Sequence, residues 1–236
     1  MTAATKTRSD TFEASYAINT TQTINDEIIK QILPIDQFAS MQLEASRKMI
    51  GITSSFAPSD IIGMFQSHGM DAILRGSGKP NSSAVTILED FSQPIGSTVE
   101  GLVRIVQVTE DKTLFDITIN GADLPQGNYS VSINENGDIS SGLKSTGNIF
   151  HQFQNSLECK KQKDGIVTGH AFWDAPIKTW EIIGRSIVLK EINGNKEIGG
   201  VIARSAGAWE NDKQVCACTG KTVWQERKDA REQNIN

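Results

Sequence analysis

The chain has 236 residues and a formal net charge of −5, and 38% of its residues are hydrophobic. This length predicts two domains plus extensions, and the acidic balance disfavours a general nucleic-acid surface, which needs clustered Lys and Arg to replace counterions. No segment has the apolar length of a signal peptide or a membrane span, so we expect a soluble, intracellular protein. The three cysteines, an odd number, fit a reducing compartment in which thiols serve chemistry.

The first third of the chain predicts a polar tail followed by a small α+β domain. Residues 1–10 are small and polar, which is typical of a disordered terminus. Strand patterns (SYAI, FASMQLEA, KMIGITSSF, DAILRG) then alternate with helix patterns (INDEIIKQIL, APSDIIGMFQSHG). The order βαββαβ within residues 11–76 predicts a ferredoxin-like domain. The Gly, Ser and Pro residues of RGSGKPNSSAV predict a linker at residues 77–83.

The pattern changes in residues 84–210 to short β-branched segments separated by turns. Asn-Gly pairs at 120–121, 136–137 and 193–194 are typical of tight hairpin turns. About seven or eight such segments predict a β-sandwich or barrel. Residues 211–236 are charged, and we expect a flexible tail that is at most transiently helical.

Two cysteines, Cys216 and Cys218, stand one residue apart in the tail segment KQVCACTGK. Thiolates are soft ligands, but two cysteines cannot complete a tetrahedral zinc site, whereas Cu(I) accepts two or three sulfurs. The pair also suits redox chemistry, because a disulfide across one residue is strained and easily reduced. The neighbouring Lys213 and Lys221 should favour the thiolate. The motif alone leaves an incidental cysteine pair as an equal alternative.

Three passages make the chain similar to the fungal copper chaperones for Cu/Zn superoxide dismutase. They are RGSGKPNSSAV, the pieces NENGDIS and IIGRSIV, and the C-terminal GVIARSAGAWENDKQVCACTGKTVW. The resemblance covers nearly all of the chain beyond residue 10. It implies a ferredoxin-like heavy-metal-associated domain, a dismutase-like Greek-key barrel that docks on the target, and a tail that delivers copper. Cys216 and Cys218 are then both the metal ligands and the reactive, catalytic thiols.

The same resemblance implies how the protein acts and with what. Cu(I) is bound transiently for transfer, and the target's intramolecular disulfide is formed by thiol–disulfide exchange. The partner is a Cu/Zn superoxide dismutase subunit in a heterodimer, with a homodimer of this chain in isolation, and with no nucleic acid and no stable membrane insertion. We expect a cytoplasmic metallochaperone, with the mitochondrial intermembrane space as a second location. An alternative is a docking and disulfide-forming partner whose target receives copper by another route.

The first domain departs from the family in its copper loop. The family carries MxCxxC between the first strand and the first helix, whereas residues 19–26 read NTTQTIND, without Cys, Met or His. Thr and Asn oxygens are hard ligands that do not suit Cu(I). We therefore predict that this domain binds no copper.

The barrel departs from a dismutase at its metal positions. Ser132 and Asn134 stand where the dismutase pattern has two histidines, and Ile149 and Lys190 replace two more. A redox-active copper site is therefore not expected, and the chain is not itself a dismutase. The positions of the dismutase disulfide fall at Leu143 and Gly199, so that bridge is also missing.

Docking is expected through the edges at which dismutase subunits pair, near the GRS strand and the last GVI strand. The matching residues, with the tryptophan beside them, are Trp180, Ile183, Gly184, Arg185, Val201, Ile202 and Arg204. Trp209 is expected to flank the same edges. Ordinary strand core is the alternative for Val201 and Ile202, and a buried core position is the alternative for the tryptophans.

Arg185 and Arg204 interrupt apolar strands, so we expect an anion-attracting patch beside the docking edge, with solvated strand-end arginines as the alternative. Cys159 in SLECKK is predicted to lie on a loop as an inert thiol. The three histidines show no metal-ligand spacing, and no pair of carboxylates is arranged for acid–base work.

Overall fold

The computed structural model describes residues 10–21, 23–91, 98–215 and 219–232. The chain divides into two compact units: unit 1 consists of Met1–Ser83 with Ala206–Lys213, and unit 2 of Ala84–Ser205 with Gln214–Asn236. The sequence pattern assigns residues 206–210 to the barrel, whereas in the structure they group with unit 1. The reason is that they contact the sheet of unit 1, as described below.

Unit 1 contains a four-stranded antiparallel sheet in the order β2-β3-β1-β4, with one helix in each of two strand connections. In chain order its elements are β1 (Phe12–Asn19), α1 (Asp26–Ile32), β2 (Ser40–Glu44), β3 (Met49–Ser54), α2 (Pro58–Ser67) and β4 (Asp71–Ser77). Short 3-10 turns lie at Ile35–Gln37 and Ala45–Arg47.

The core of unit 1 follows from the alternation of side chains along β1. Tyr16 is buried on one face of the sheet, and Ile29 of α1 and Phe65 of α2 are fully buried. Helix α1 is capped by Asn25, whose side-chain oxygen accepts a hydrogen bond from the backbone N–H of Ile28 at 2.9 Å. The helices therefore supply one apolar face to the sheet and leave the other face of β1 and β3 for other contacts.

Unit 2 contains an eight-stranded closed antiparallel barrel in the order β8-β11-β12-β7-β6-β5-β14-β13, which β13 closes by pairing with β8. The ring strands are β5 (Ser83–Asp90), β6 (Thr98–Thr109), β7 (Lys112–Gly121), β8 (Gly127–Asn134), β11 (Leu157–Lys161), β12 (Val167–Ala175), β13 (Ser186–Glu191) and β14 (Glu197–Val201). The remaining elements are β9 (Ser140–Leu143), β10 (Ile149–Gln152), α3 (Thr179–Ile182), β15 (Ala203–Arg204) and α4 (Val223–Glu232). The predicted barrel is thus confirmed.

The interior of the barrel is filled by alternate residues of its strands. Phe115 and Ile117 of β7, Tyr129 of β8 and Leu189 of β13 belong to one buried apolar cluster. Cys159 belongs to the same cluster, on strand β11 rather than on the predicted loop. Because the SLECKK strand alternates between core and solvent, its cysteine occupies a core position.

No helix among the described residues is long and apolar enough to cross a membrane.

Candidate functional site

Cys216 and Cys218 lie outside the described residues, but the chain on both sides of them is described. Val215 forms an antiparallel bridge with Thr222, and the backbone N–H of Val223 donates to the carbonyl of Gln214 at 3.0 Å. The two flanks of the cysteine pair are therefore joined to each other.

A helix follows this pairing directly, where the sequence analysis expected at most transient helix. Thr222 and Gln225 form a capping box: the backbone N–H of Thr222 donates to Gln225 Oε1 at 2.7 Å, and the Gln225 N–H donates to Thr222 Oγ1 at 3.2 Å. Lys221 Nζ lies 2.5 Å from Asp229 Oδ2, so a carboxylate partly offsets the charge that was expected to favour the thiolates. The pattern Thr-x-x-Gln in TVWQ is the sequence signal that could have predicted this helix.

The predicted docking edges come together at one end of β13. Gly184 donates its N–H to the carbonyl of Ile202 at 2.9 Å, and Ile202 donates to the carbonyl of Arg185 at 2.8 Å. Gly137 completes the cluster, since a Cβ there would lie 2.4 Å from the Gly184 oxygen and 2.9 Å from Val201 Cγ1. Gly137 was missed as a site residue, although the turn NENG that contains it was a recognisable signal.

The residues of these edges differ in what they offer to a partner. Ile202 is only 1% exposed and belongs to the barrel core, and Ile183 packs against that core. Val201 is half-buried, and Arg204 is exposed on β15. Ile202 is therefore a core residue, which was the alternative to an interface role. Val201, in contrast, keeps part of its side chain at the surface.

An apolar recess of about 230 Å³ lies beside Val201. Its lining residues are Val85, Ile87, Glu89, Phe91, Ile139, Gly200, Val201 and Ala203. Ile87 is an exposed large hydrophobic residue, and β15 pairs with β5 along this recess. The outward face of β5 was not predicted as part of a site, although Val85 and Ile87 alternate there with buried Thr86 and Leu88.

Trp180 on α3 is 69% exposed, so the alternative prediction of a buried core residue is wrong for it.

Phe150 on β10 is 42% exposed, and the Arg185 guanidinium lies 3.9 Å from the centroid of its ring. Arg185 Nε also donates to the Glu181 carbonyl at 2.8 Å, and its Nη1 to the Glu135 carbonyl at 2.8 Å. Arg185 thus connects neighbouring segments of this surface through its hydrogen bonds, and it also gives the surface a positive charge.

Two of the residues at which the resemblance predicts replaced metal ligands form a hydrogen-bonded network of their own. Ser132 Oγ donates to Asn134 Oδ1 at 2.9 Å, and Asn134 Nδ2 donates to Thr146 Oγ1 at 2.9 Å, all within buried structure. Lys190 Nζ lies 2.7 Å from Glu197 Oε1. Among the described residues there is no group of three or more His, Cys, Asp or Glu side chains that could hold a metal ion.

Leu143 and Gly199, at which the resemblance places the missing dismutase disulfide, are neighbours in the structure. A Cβ on Gly199 would lie 2.9 Å from Leu143 Cδ2, so the leucine side chain fills the space against the glycine. Ile149, one of the four residues at which the resemblance predicts a replaced metal ligand, has an exposed side chain.

In unit 1, the chain between β1 and α1 is described except for residue 22. Lys48 Nζ donates to the Thr20 carbonyl at 3.0 Å, and Ile24 is buried. Trp209, expected beside the barrel edges, belongs to unit 1, where its Nε1 donates to Glu13 Oε1 at 2.6 Å.

Comparison with known proteins decides the family. The "Superoxide dismutase 1 copper chaperone" of Candida glabrata is 48% identical over 234 residues, covering 96% of this chain and 98% of its own length. The protein of the same name from Saccharomyces cerevisiae is 47% identical over 251 residues, covering 97% and 99%. The chain belongs to the family of copper chaperones for superoxide dismutase.

More distant members of the family agree with this assignment. The "Copper chaperone for superoxide dismutase" of Homo sapiens is 26% identical over 244 residues, covering 88% of this chain and 86% of its own. No protein-family model matches the chain. Among solved structures, the clock protein EA4 is similar over 53% of this chain at 21% identity, with a TM-score of 0.42. The assignment of this family member therefore rests on the named chaperones.

Proposed function

We propose that the protein docks on a Cu/Zn superoxide dismutase subunit, transfers Cu(I) from Cys216 and Cys218, and promotes formation of the target's intramolecular disulfide. The observation that carries the proposal is the 48% identity to a named copper chaperone for superoxide dismutase over nearly the whole chain. The barrel supports it through the residues at which the resemblance predicts the pairing edge and the replaced metal ligands. Gly137, Gly184 and Val201 meet at the edge, while Ser132 and Asn134 hydrogen-bond to each other. Such a barrel has a use as a docking module rather than as a dismutase.

The fold supports the same assignment. The strand order β2-β3-β1-β4 of unit 1, with helices between β1 and β2 and between β3 and β4, suits a ferredoxin-like domain. In the ring of unit 2, the neighbours β7 and β12 are joined in sequence only through β8 to β11, which suits a Greek-key barrel.

Docking uses the cluster of Gly137, Gly184 and Val201, the apolar recess beside Val201, and the exposed surface of Trp180, Phe150 and Arg185. Trp180 is 69% exposed, and exposed tryptophans are frequent anchors of protein interfaces. The dismutase subunit forms a heterodimer through this surface, and a second copy of this chain occupies it in isolation.

Copper moves by ligand exchange. Cu(I) is carried by the thiolates of Cys216 and Cys218, and a target ligand binds as each thiolate leaves, until imidazole holds the ion. Copper stays in the +1 state throughout, so this step transfers no electron. Soft thiolate ligands select Cu(I), and a coordination number of two or three leaves room for the incoming ligand.

Disulfide formation starts from the oxidised form of the cysteine pair. A target thiolate attacks Cys216 Sγ, which releases the Cys218 thiolate and forms a mixed disulfide. The target's second thiolate then attacks its own partner sulfur and releases the Cys216 thiolate. Two electrons pass from the target to the pair, and dioxygen, reduced to hydrogen peroxide, accepts them when the pair is re-oxidised.

The decisive experiment measures Cu(I) bound in competition with a strong chelator, together with activation of reduced, copper-free target. The full chain is compared with a Cys216→Ser, Cys218→Ser variant and with a matched Cys159→Ser control. We expect about one Cu(I) per chain, lost only in the double variant along with activation. Activation that survives the double change would overturn the proposed role of the tail.

The same comparison tests the alternative in which copper reaches the target by another route. Copper-loaded, reduced target is offered to each variant, and its disulfide is followed by alkylation and electrophoresis. If the wild-type chain forms the disulfide but holds no Cu(I) against the chelator, the alternative replaces the copper-delivery proposal.

A further inference from the structure

The segment Ala206–Lys213, which we call the root clamp, leads directly into the cysteine-bearing tail and lies on the sheet of unit 1. The Ala206 carbonyl accepts the N–H of Ser77 at 3.1 Å, and Ala208 donates to the carbonyl of Gly78 at 2.9 Å. Both hydrogen bonds lie at the end of β4, which is the edge strand of the sheet. The root clamp thus covers backbone groups that an uncovered edge strand would expose.

Trp209 occupies a seat made by small residues on the face of the sheet away from Tyr16. Its backbone N–H donates to Ser15 Oγ at 3.1 Å, and a Cβ on Gly51 would lie 2.4 Å from its Cζ2 atom. Trp209 has a φ of 67°, an uncommon value for a bulky residue, which persists only where the surroundings impose it. The indole, its hydrogen bond to Glu13 and the Ser15 contact together impose this conformation.

Arg75 on β4 holds the far end of the root clamp. Its Nε donates to the Asn211 carbonyl at 3.3 Å and its Nη2 to Asn211 Oδ1 at 3.1 Å, with a further bond to the Lys213 carbonyl. Arg75 is only 6% exposed, and this burial lowers the pKa of the guanidinium, while the charge of Asp212 opposes the shift. A buried arginine that binds backbone and side-chain oxygens fixes the chain there in one geometry.

We propose that the root clamp gives unit 1 a function independent of copper: it anchors the origin of the cysteine-bearing tail, with Trp209 as the positioning residue. This inference rests on the function proposed above. Cys216 is the third residue after Lys213, so the clamp limits its thiol to a radius of about 10 Å from the last anchored residue. Release of the eight clamp residues would add roughly 27 Å of chain and let the thiols range over a larger volume, which lowers their effective concentration at any one place.

This proposal explains why a domain without a cysteine in its copper loop keeps its sheet. The residues that make the seat, Ser15 and Gly51, lie opposite each other on β1 and β3. Ser15 and Gly51 therefore hold Trp209, and through it the start of the tail, whether or not the loop at residues 19–26 binds a metal.

The test uses three full-length variants: Gly51→Ala, which crowds the seat, Trp209→Ala, which empties it, and Gly63→Ala as a matched control. Gly63 lies in α2 with open space around the position of a Cβ. Hydrogen exchange is measured at the amides of Ala208 and Trp209, with circular dichroism to verify that unit 1 remains folded. We expect a loss of protection of about tenfold or more in the two seat variants and no loss in the control.

The functional readouts are copper stoichiometry and the rate of target activation. We expect unchanged Cu(I) binding in all three variants and activation slowed about fivefold in the two seat variants only. Unprotected amides in the wild-type chain, or equal activation rates after protection is lost, would overturn the proposal. Failure of the wild-type chain to bind Cu(I) would instead overturn the proposed function, while hydrogen exchange still decides whether the root clamp exists.

Discussion

The guanidinium of Arg185 lies 3.9 Å from the centre of the Phe150 ring, and together they form part of the exposed surface near Trp180 that we assign to docking. Phe150 was not predicted as a docking residue, and the sequence does not show that it contacts Arg185. Phe150 lies on β10, which pairs with β8, whereas Arg185 precedes β13, which pairs with the same strand.

Truncation of this surface is expected to weaken docking without unfolding the barrel. Phe150→Ala and Trp180→Ala each remove an exposed aromatic ring, so we expect a loss of about 1–2 kcal/mol, or roughly tenfold in Kd, for reduced target. Titration calorimetry measures this directly. The matched control is Ile192→Ala, because Ile192 is equally exposed but lies beyond the opposite end of β13. Equal affinities for all three variants would contradict the assigned surface.

Glu100 is expected to make the barrel less stable as pH rises. It is 2% exposed, and burial raises its pKa to about 7, with smaller contributions from neighbouring charges, of which Lys196 lowers the pKa and Asp90 raises it. The folded state therefore keeps a proton that the unfolded state releases near pH 4.5, and stability is lost between about pH 4.5 and pH 7.

The variant Glu100→Gln tests this behaviour because an amide stays neutral at every pH. We expect stabilisation by about 2 kcal/mol at pH 8 and little change at pH 4, measured by urea denaturation of the full chain. Glu110→Gln, at an exposed turn, serves as the control. A variant that is no more stable than wild type at pH 8 would show that burial does not raise the pKa of Glu100 in the folded barrel.

Cys159 should be unreactive in the folded chain. Burial in the barrel core raises the pKa of its thiol to about 12, with Glu158 adding to the shift, so almost no thiolate forms at neutral pH. Iodoacetamide followed by mass spectrometry should modify Cys216 and Cys218 and spare Cys159 until the chain is unfolded. Cys159→Ser should leave the native labelling unchanged, and rapid labelling of Cys159 would contradict its core position.

The capping box is expected to hold the helix that follows the cysteine pair. Thr222→Ala removes the oxygen that accepts the Gln225 N–H, which should cost about 1 kcal/mol of local stability. Hydrogen exchange of the first amides of α4 should accelerate, whereas Thr222→Ser should restore protection. Identical exchange in the alanine variant would mean that other contacts hold the helix.

Local patterns predicted the elements best where hydrophobic period and turn residues agreed. The alternating strands and Asn-Gly turns predicted the barrel, and that prediction is confirmed. Cys159 was misplaced because a charged stretch such as SLECKK resembles a loop until its alternation is read as a strand. The helix at the tail was predicted only as a transient one because its short sequence is mostly charged and polar, and only the capping pair marks its start.

The sequence by itself determined the chemistry that is available: two thiols one residue apart, a first loop without soft ligands, and barrel positions without histidines. It also determined the family, because long stretches of identity need no coordinates to be recognised. Only the tertiary structure placed Trp209 against Ser15, 194 residues away, and Gly137 against Gly184. Periodic patterns report which face of an element is buried, whereas contacts between distant segments depend on how complete surfaces fit together.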